Sequence, residues 1–204
     1  MSESSSQVIA LSAGLDDYFR EPVREAFKDG SVDASEATQV YLVGLLSDFA
    51  KPTKETASPL SESVTFLYRD AMNAAGQERF RRLQQLGDGV LYSMGYFHGT
   101  QLRATDENYV AGVGKNAYGH AARMLRTGQG VSRGPDVLEE LSAGFERFVA
   151  VLRYVSDWVF AKSQHDEEGL VKLYDRWQKT RSPVLRNELG QRGLIPSDDP
   201  GGVH

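Results

Sequence analysis

The sequence predicts an all-α fold: a compact bundle of six to eight helices around two central glycine-rich helices. Three observations lead there. Apolar residues recur at steps of three and four along most of the chain, most clearly at Leu138, Leu141, Phe145, Phe148, Leu152, Val155 and Val159, and that spacing is the stripe of an amphipathic helix. No run alternates apolar and polar residues between turn signals as a strand would. Two segments, ERFRRLQQLGDGVLYSMGYFHGTQL from Glu78 and DENYVAGVGKNAYGHAARMLR from Asp106, keep the helical period while carrying several glycines each. A glycine inside a helix costs about 0.5–1 kcal/mol against alanine, so such helices need tertiary support and belong in the core.

In chain order, residues 1–12 are serine-rich and read as a disordered lead, and a single helical domain is expected over 13–190. A first helix spans Leu15 to Lys28, with Pro22 expected to bend or restart it. Asp33 and Glu36 have the spacing of a capping box for a second helix, apolar nearly all round, that Lys51-Pro52 stops. Ser58-Pro59 starts a third helix, to about Ala75, and Gly76 breaks it from the next. The first glycine-rich helix is read from Glu78 to Gln101. The connection Arg103 to Thr105 is short enough to leave its partner antiparallel, capped by Thr105 or Asp106. In that partner, Gly112, Asn116 and Gly119 form a small-residue row suited to close backbone approach, and Gly95 offers the same on the first. A loop from Gly128 to Gly134 leads to one long helix, Pro135 to Lys162. Asp166 to Glu168 opens an amphipathic helix, where acidic groups suit the N-terminal dipole. A short turn near Val184 to Leu189 precedes a flexible tail, 191–204.

The 204-residue length fits one domain. The chain has no cysteine, which removes disulfides, zinc fingers and thiol catalysis. With neither a signal peptide nor a membrane-length apolar run in view, a cytoplasmic protein is expected. Net charge is −5, yet residues 60–133 carry 9 basic and 6 acidic groups, a surplus of +3 whose densest part is Arg79, Arg81 and Arg82. Three arginines on one helix turn read as a solvated face, and nucleic-acid binding is not expected, since neutralising phosphates takes a broad basic surface.

Two short matches are set aside. Ala75-Gly76-Gln77-Glu78-Arg79-Phe80 looks like the switch II segment of small GTPases, but Asn73 stands where that family has aspartate. Gly112-Val113-Gly114-Lys115-Asn116 looks like the end of a Walker A loop, but Asn116 replaces the serine or threonine that binds magnesium. No glutamate precedes a histidine by three residues, as a helical di-iron site needs, and no metal site or catalytic residue is assigned.

Candidate pocket residues remain. Asp88, Tyr92 and Tyr96 follow one another at steps of four on the first glycine-rich helix. Tyr109, Asn116 and Arg123 occupy the small-residue side of the second. Should these faces meet, a polar cluster would lie at low dielectric, where pKa values move; a structural hydrogen-bond network is the plainer reading. His98 and His120 are the two histidines on apolar helix faces, read as hydrogen-bonded core residues, with haem ligation by the pair as the alternative.

The phrases YFREPVREAF, YLVGLLSDFA, RLQQLGDGVLYSMGYF and YVAGVGKNAYG resemble those of a family of uncharacterised bacterial proteins of about this length, over residues 15–127. The resemblance implies a compact cytosolic helical protein and assigns no functional residue. The reading taken forward is a non-enzymatic helical interaction or regulatory protein that takes a protein partner, a second copy of itself included. The alternative is a helical bundle, similar in architecture to haem-oxygenase-like proteins, with a small-molecule or haem pocket between the glycine-rich helices.

Overall fold

A computed structural model describes residues 2–51, 63–97, 107–129 and 136–194, with side chains at all of these except 2–13 and 127–129. The described residues are helical, with no strand among them. In chain order the elements are α1 (Ser2–Asp29), α2 (Glu36–Ala50), α3 (Val64–Asn73), α4 (Gly76–Gly95), α5 (Glu107–Gln129), α6 (Val137–Ala143), α7 (Phe145–Ser163), α8 (Glu167–Thr180) and α9 (Pro183–Gln191). Close contacts divide the chain into two compact units, Met1–Arg153 and Tyr154–His204, with the boundary inside α7. No helix is long and apolar enough to cross a membrane among the described residues.

Nine helices among the described residues exceed the six to eight expected, because Gly144 splits the long helix into α6 and α7. Its φ of −106° and ψ of 24° leave the helical region. The hydrogen bonds nonetheless run on across it, Gly144 N–H to the Glu140 carbonyl at 2.9 Å and Phe148 N–H to the Gly144 carbonyl at 3.1 Å. The apolar stripe therefore stays in phase through the break, which is why periodicity alone reads one helix. α1 starts at Ser2 rather than Leu15 and contains Pro22. At the start of α4, Gly76 has a φ of +53°, where a side chain would be strained. The Ser58-Pro59 start, the Thr105 or Asp106 cap, the Pro135 start and His98 lie outside the described residues.

The first unit is built on α4 and α5, which pack on each other most extensively; α3 lies on both, and α6 on α5. Leu83, Val90 and Leu91 of α4 are fully buried, as are Val110, Ala117, Tyr118 and Ala121 of α5 and Phe145, Phe148 and Leu152 from the start of α7. Glycines admit these neighbours. A Cβ on Gly95 would come within 2.5 Å of Leu152 Cβ, and one on Gly114 within 2.8 Å of Val90 and 2.6 Å of Phe145. The expected row of Gly112, Asn116 and Gly119 does not make the contact with α4: a Cβ on Gly112 meets nothing within 4 Å, Asn116 is exposed, and Gly119 faces Ser142 of α6. The apolar row beside that one, Val113, Ala117 and Ala121, is buried as its period predicts, and the close approach to α4 falls at Gly114 instead. In the second unit Ala161, Leu173, Trp177, Leu185 and Leu189 form a separate core, with Asp166 accepting the Gly169 N–H at 2.7 Å to cap α8.

The cap of α2 differs from the expected Asp33 and Glu36 box. Ser35 is the N-cap, accepting the Thr38 N–H at 3.2 Å. The carboxylate that completes it comes from Glu140 of α6, which accepts the Ser35 N–H at 2.9 Å, the Ser35 hydroxyl at 2.6 Å and the Thr38 hydroxyl at 2.5 Å. A capping box normally takes its acid from the helix's own third residue. Here a residue 105 positions away supplies it, so one bond set both caps α2 and ties it to α6. Burial opposes the charge on Glu140, but the bonds from Ser35 and Thr38 outweigh it and hold the carboxyl below its usual pKa.

Two predictions follow from the packing and the cap. Gly95→Leu should cost on the order of 1–3 kcal/mol or more by overpacking, whereas Gly112→Ala should stabilise by about 0.5–1 kcal/mol as an alanine in an open helical position; urea unfolding of both variants decides it. Glu140→Ala should lose roughly 0.5–2 kcal/mol, the usual worth of a cap. Because the folded pKa is lowered, that loss is present above the unfolded value near 4.5 and shrinks as pH falls below it, which unfolding curves taken at pH 7 and pH 3 would register.

Candidate functional site

Asp88 sits midway along α4 and receives two phenols. The Tyr41 hydroxyl of α2 and the Tyr118 hydroxyl of α5 each donate to its Oδ1 at 2.7 Å. Gln84, one turn earlier on α4, donates from Nε2 to the Tyr41 oxygen at 2.9 Å. The step of four between Gln84 and Asp88 places both on the α4 face toward Tyr41. The adjacent glycine completes the geometry, since the Tyr118 ring lies where a Gly87 Cβ would be, 2.7 Å from two ring carbons. Any side chain at 87 would push that ring, and its hydroxyl, off the carboxylate.

Burial raises the Asp88 carboxyl to about 6, against the two phenol bonds that favour its charged form; Asp48 of α2 adds a smaller upward push. Both phenols are shifted upward, Tyr41 and Tyr118 mainly by burial and then by the charge of Asp88. Neither is a base near neutral pH. Asp88 is the group of this cluster that exchanges a proton near physiological pH, and what it does with either charge is accept hydrogen bonds that join three helices.

The other candidates are dispersed. Tyr92 is buried and stacks on Phe49 of α2 at 4.3 Å and on Tyr96 at 5.2 Å, with Phe97 edge-on to both; burial, then the Tyr96 neighbour, raises its pKa. Tyr109 is exposed and shares a 2.9 Å hydrogen bond with Thr65 of α3. Asn116 and Arg123 are exposed. His120 is half-buried, its ring 6.2 Å from that of Tyr68 of α3, and burial, then Arg123, then Arg79 lower its pKa. Asp88 thus meets Tyr41 and Tyr118 rather than Tyr109, Asn116 and Arg123, because α5 turns Tyr118 and not its small-residue row toward α4. Tyr41 and Tyr118 lie outside the candidates expected from the sequence, where their signal is that a tyrosine in an otherwise apolar core stripe must find a partner for its hydroxyl.

Asp88→Asn keeps an oxygen to accept both phenols and removes the buried charge. A raised folded pKa means that the wild type keeps full stability below the unfolded value near 3.8 and loses it as pH rises through about 6. Relative to wild type, the variant should therefore gain on the order of 2 kcal/mol between pH 4 and pH 7, measured as the difference in unfolding free energy at the two pH values.

Comparison of the chain with protein-family models, with curated proteins and with solved structures finds no match in any of the three.

Proposed function

We propose that this chain works by binding rather than by catalysis, as a helical interaction or regulatory protein with a protein partner. The observation that carries the reading is the pair of aromatic rings held at the surface of adjoining helices. Phe66 of α3 is 52% exposed and Tyr109 of α5 is 46% exposed. Their positions are set: the Arg69 guanidinium lies over the Phe66 ring at 5.0 Å, and Thr65, next to Phe66, bonds the Tyr109 hydroxyl. Surface aromatics fixed by neighbours lose little conformational entropy on binding, and tyrosine, phenylalanine and arginine are the residues enriched at protein interfaces. The interior points the same way. Its acid, Asp88, is engaged by two phenols.

The test is capture of partners by the tagged chain from its native source, followed by binding of each purified partner to variants; sedimentation checks a second copy of the chain as the partner. The double variant Phe66→Ala with Tyr109→Ala should weaken binding at least about tenfold with unfolding unchanged, and Asp88→Asn should bind as wild type does. Partners indifferent to the double variant, or a turnover that Asp88→Asn abolishes, would sink the proposal.

A further inference from the structure

Arg79, near the start of α4, is half-buried, and its Nε is shut off from solvent without a hydrogen-bond partner. Its guanidinium donates from Nη2 to the sulfur of Met72 at 3.4 Å, a weak acceptor, and no carboxylate pairs with it among the described residues. The neighbouring acid is taken: Glu78 binds Arg81 through two bonds of 2.9 and 3.0 Å and Arg82 at 2.6 Å, which hold its carboxyl down at about 2. A buried guanidinium N–H left without an acceptor is costly, and an oxyanion is one group that completes it.

The surroundings supply more positive charge. Met72 and Tyr68 are one turn apart on α3, so Arg79 at the first and the His120 ring at the second stand along one face of that helix. Arg123 lies exposed on α5 with its Nη1 3.6 Å from where a Gly119 Cβ would be, and its charge reaches the His120 ring. α3, α4 and α5 all pack on one another. Tyr68 and His120 are half-buried and Arg123 is exposed, so the cluster opens to solvent.

We propose that Arg79, His120 and Arg123, with Tyr68 beside the imidazole, form a binding site for a small oxyanion, a phosphate or carboxylate group, where α3, α4 and α5 meet. Arginine suits either, because its planar fork donates two parallel bonds to such groups. The imidazole contributes a further donor and, once an anion is bound, a charge. Tyr68 of α3, Arg79 of α4 and Arg123 of α5 are titratable or charged groups around it; burial, then the two cations, lower its pKa, and an anion between them opposes that. Binding therefore takes up a proton and tightens as pH falls toward the usual imidazole range. The site is independent of the Phe66 and Tyr109 surface, so either can fail alone.

Calorimetric titration of the purified chain with inorganic phosphate and, separately, with citrate tests it, alongside proton NMR of the His120 ring, assigned with His120→Gln. Saturable binding of at least one anion is expected, with the His120 pKa raised on saturation; a response to phosphate alone assigns a phosphate ligand, and to citrate alone a carboxylate. Arg79→Met, which keeps the aliphatic stem, should bind about tenfold more weakly or worse. Arg123→Gln, at an exposed position, should also weaken binding and serves if Arg79→Met does not fold. Flat titrations with both anions, binding that leaves His120 unmoved, or undiminished binding in a folded variant would overturn the site.

Discussion

The contact on which the first unit depends is the meeting of one carboxylate with two phenols. Asp88 Oδ1 accepts from Tyr41 and Tyr118, and through them α2 and α5 are held to α4. Two opposing effects act on that carboxyl. Two hydroxyl donors favour its charged form, yet its pKa rises, so the loss of water around it is the larger effect. A buried polar network with every bond made favours one arrangement over near alternatives, because a shifted helix leaves an unpaired donor or acceptor in the core. Gly87 belongs to the same device, giving the Tyr118 ring its place.

Helix ends in the first unit are tied the same way, by partners far along the chain. Glu140 completes the cap of α2, and Arg153 of α7 donates from Nε to the carbonyl of Met94 at 3.2 Å, near the end of α4. Helix termini leave backbone groups without intrahelical partners. Satisfying them with side chains from other helices converts a local need into a tertiary constraint.

Asp88 and Glu140 use their hydrogen bonds in holding helices together, while positive charge collects where α3, α4 and α5 meet. Burial and two arginines lower the His120 pKa, a shift that an incoming anion opposes.

Much of the helical order was legible from residues alone. The stripe from Leu138 to Val159, the acidic start of α8, the boundaries of α2 and the start of α4 to within a few residues all follow from short-range rules, since a helix depends on neighbours three and four positions away. The end of α4 differs, at Gly95 rather than Gln101. The break at Gly144 was not legible, because the hydrogen bonds and the apolar phase continue across it. Nor were the pairings of Asp88 with Tyr41 and Tyr118, of Ser35 with Glu140, or of Arg79 with the His120 face. Periodicity says that a face is buried, and it leaves open by some tens of degrees which residues of that face meet which neighbour. It therefore marked Asp88, His120 and Arg123 as worth attention while choosing the wrong companions for Asp88. Apart from the first turns of α1, the sequence alone determined which stretches are helices and which side of each is apolar; only tertiary packing decided the rotation of α5 against α4, because that angle is set by side chains tens of residues apart fitting around Gly87 and Gly114.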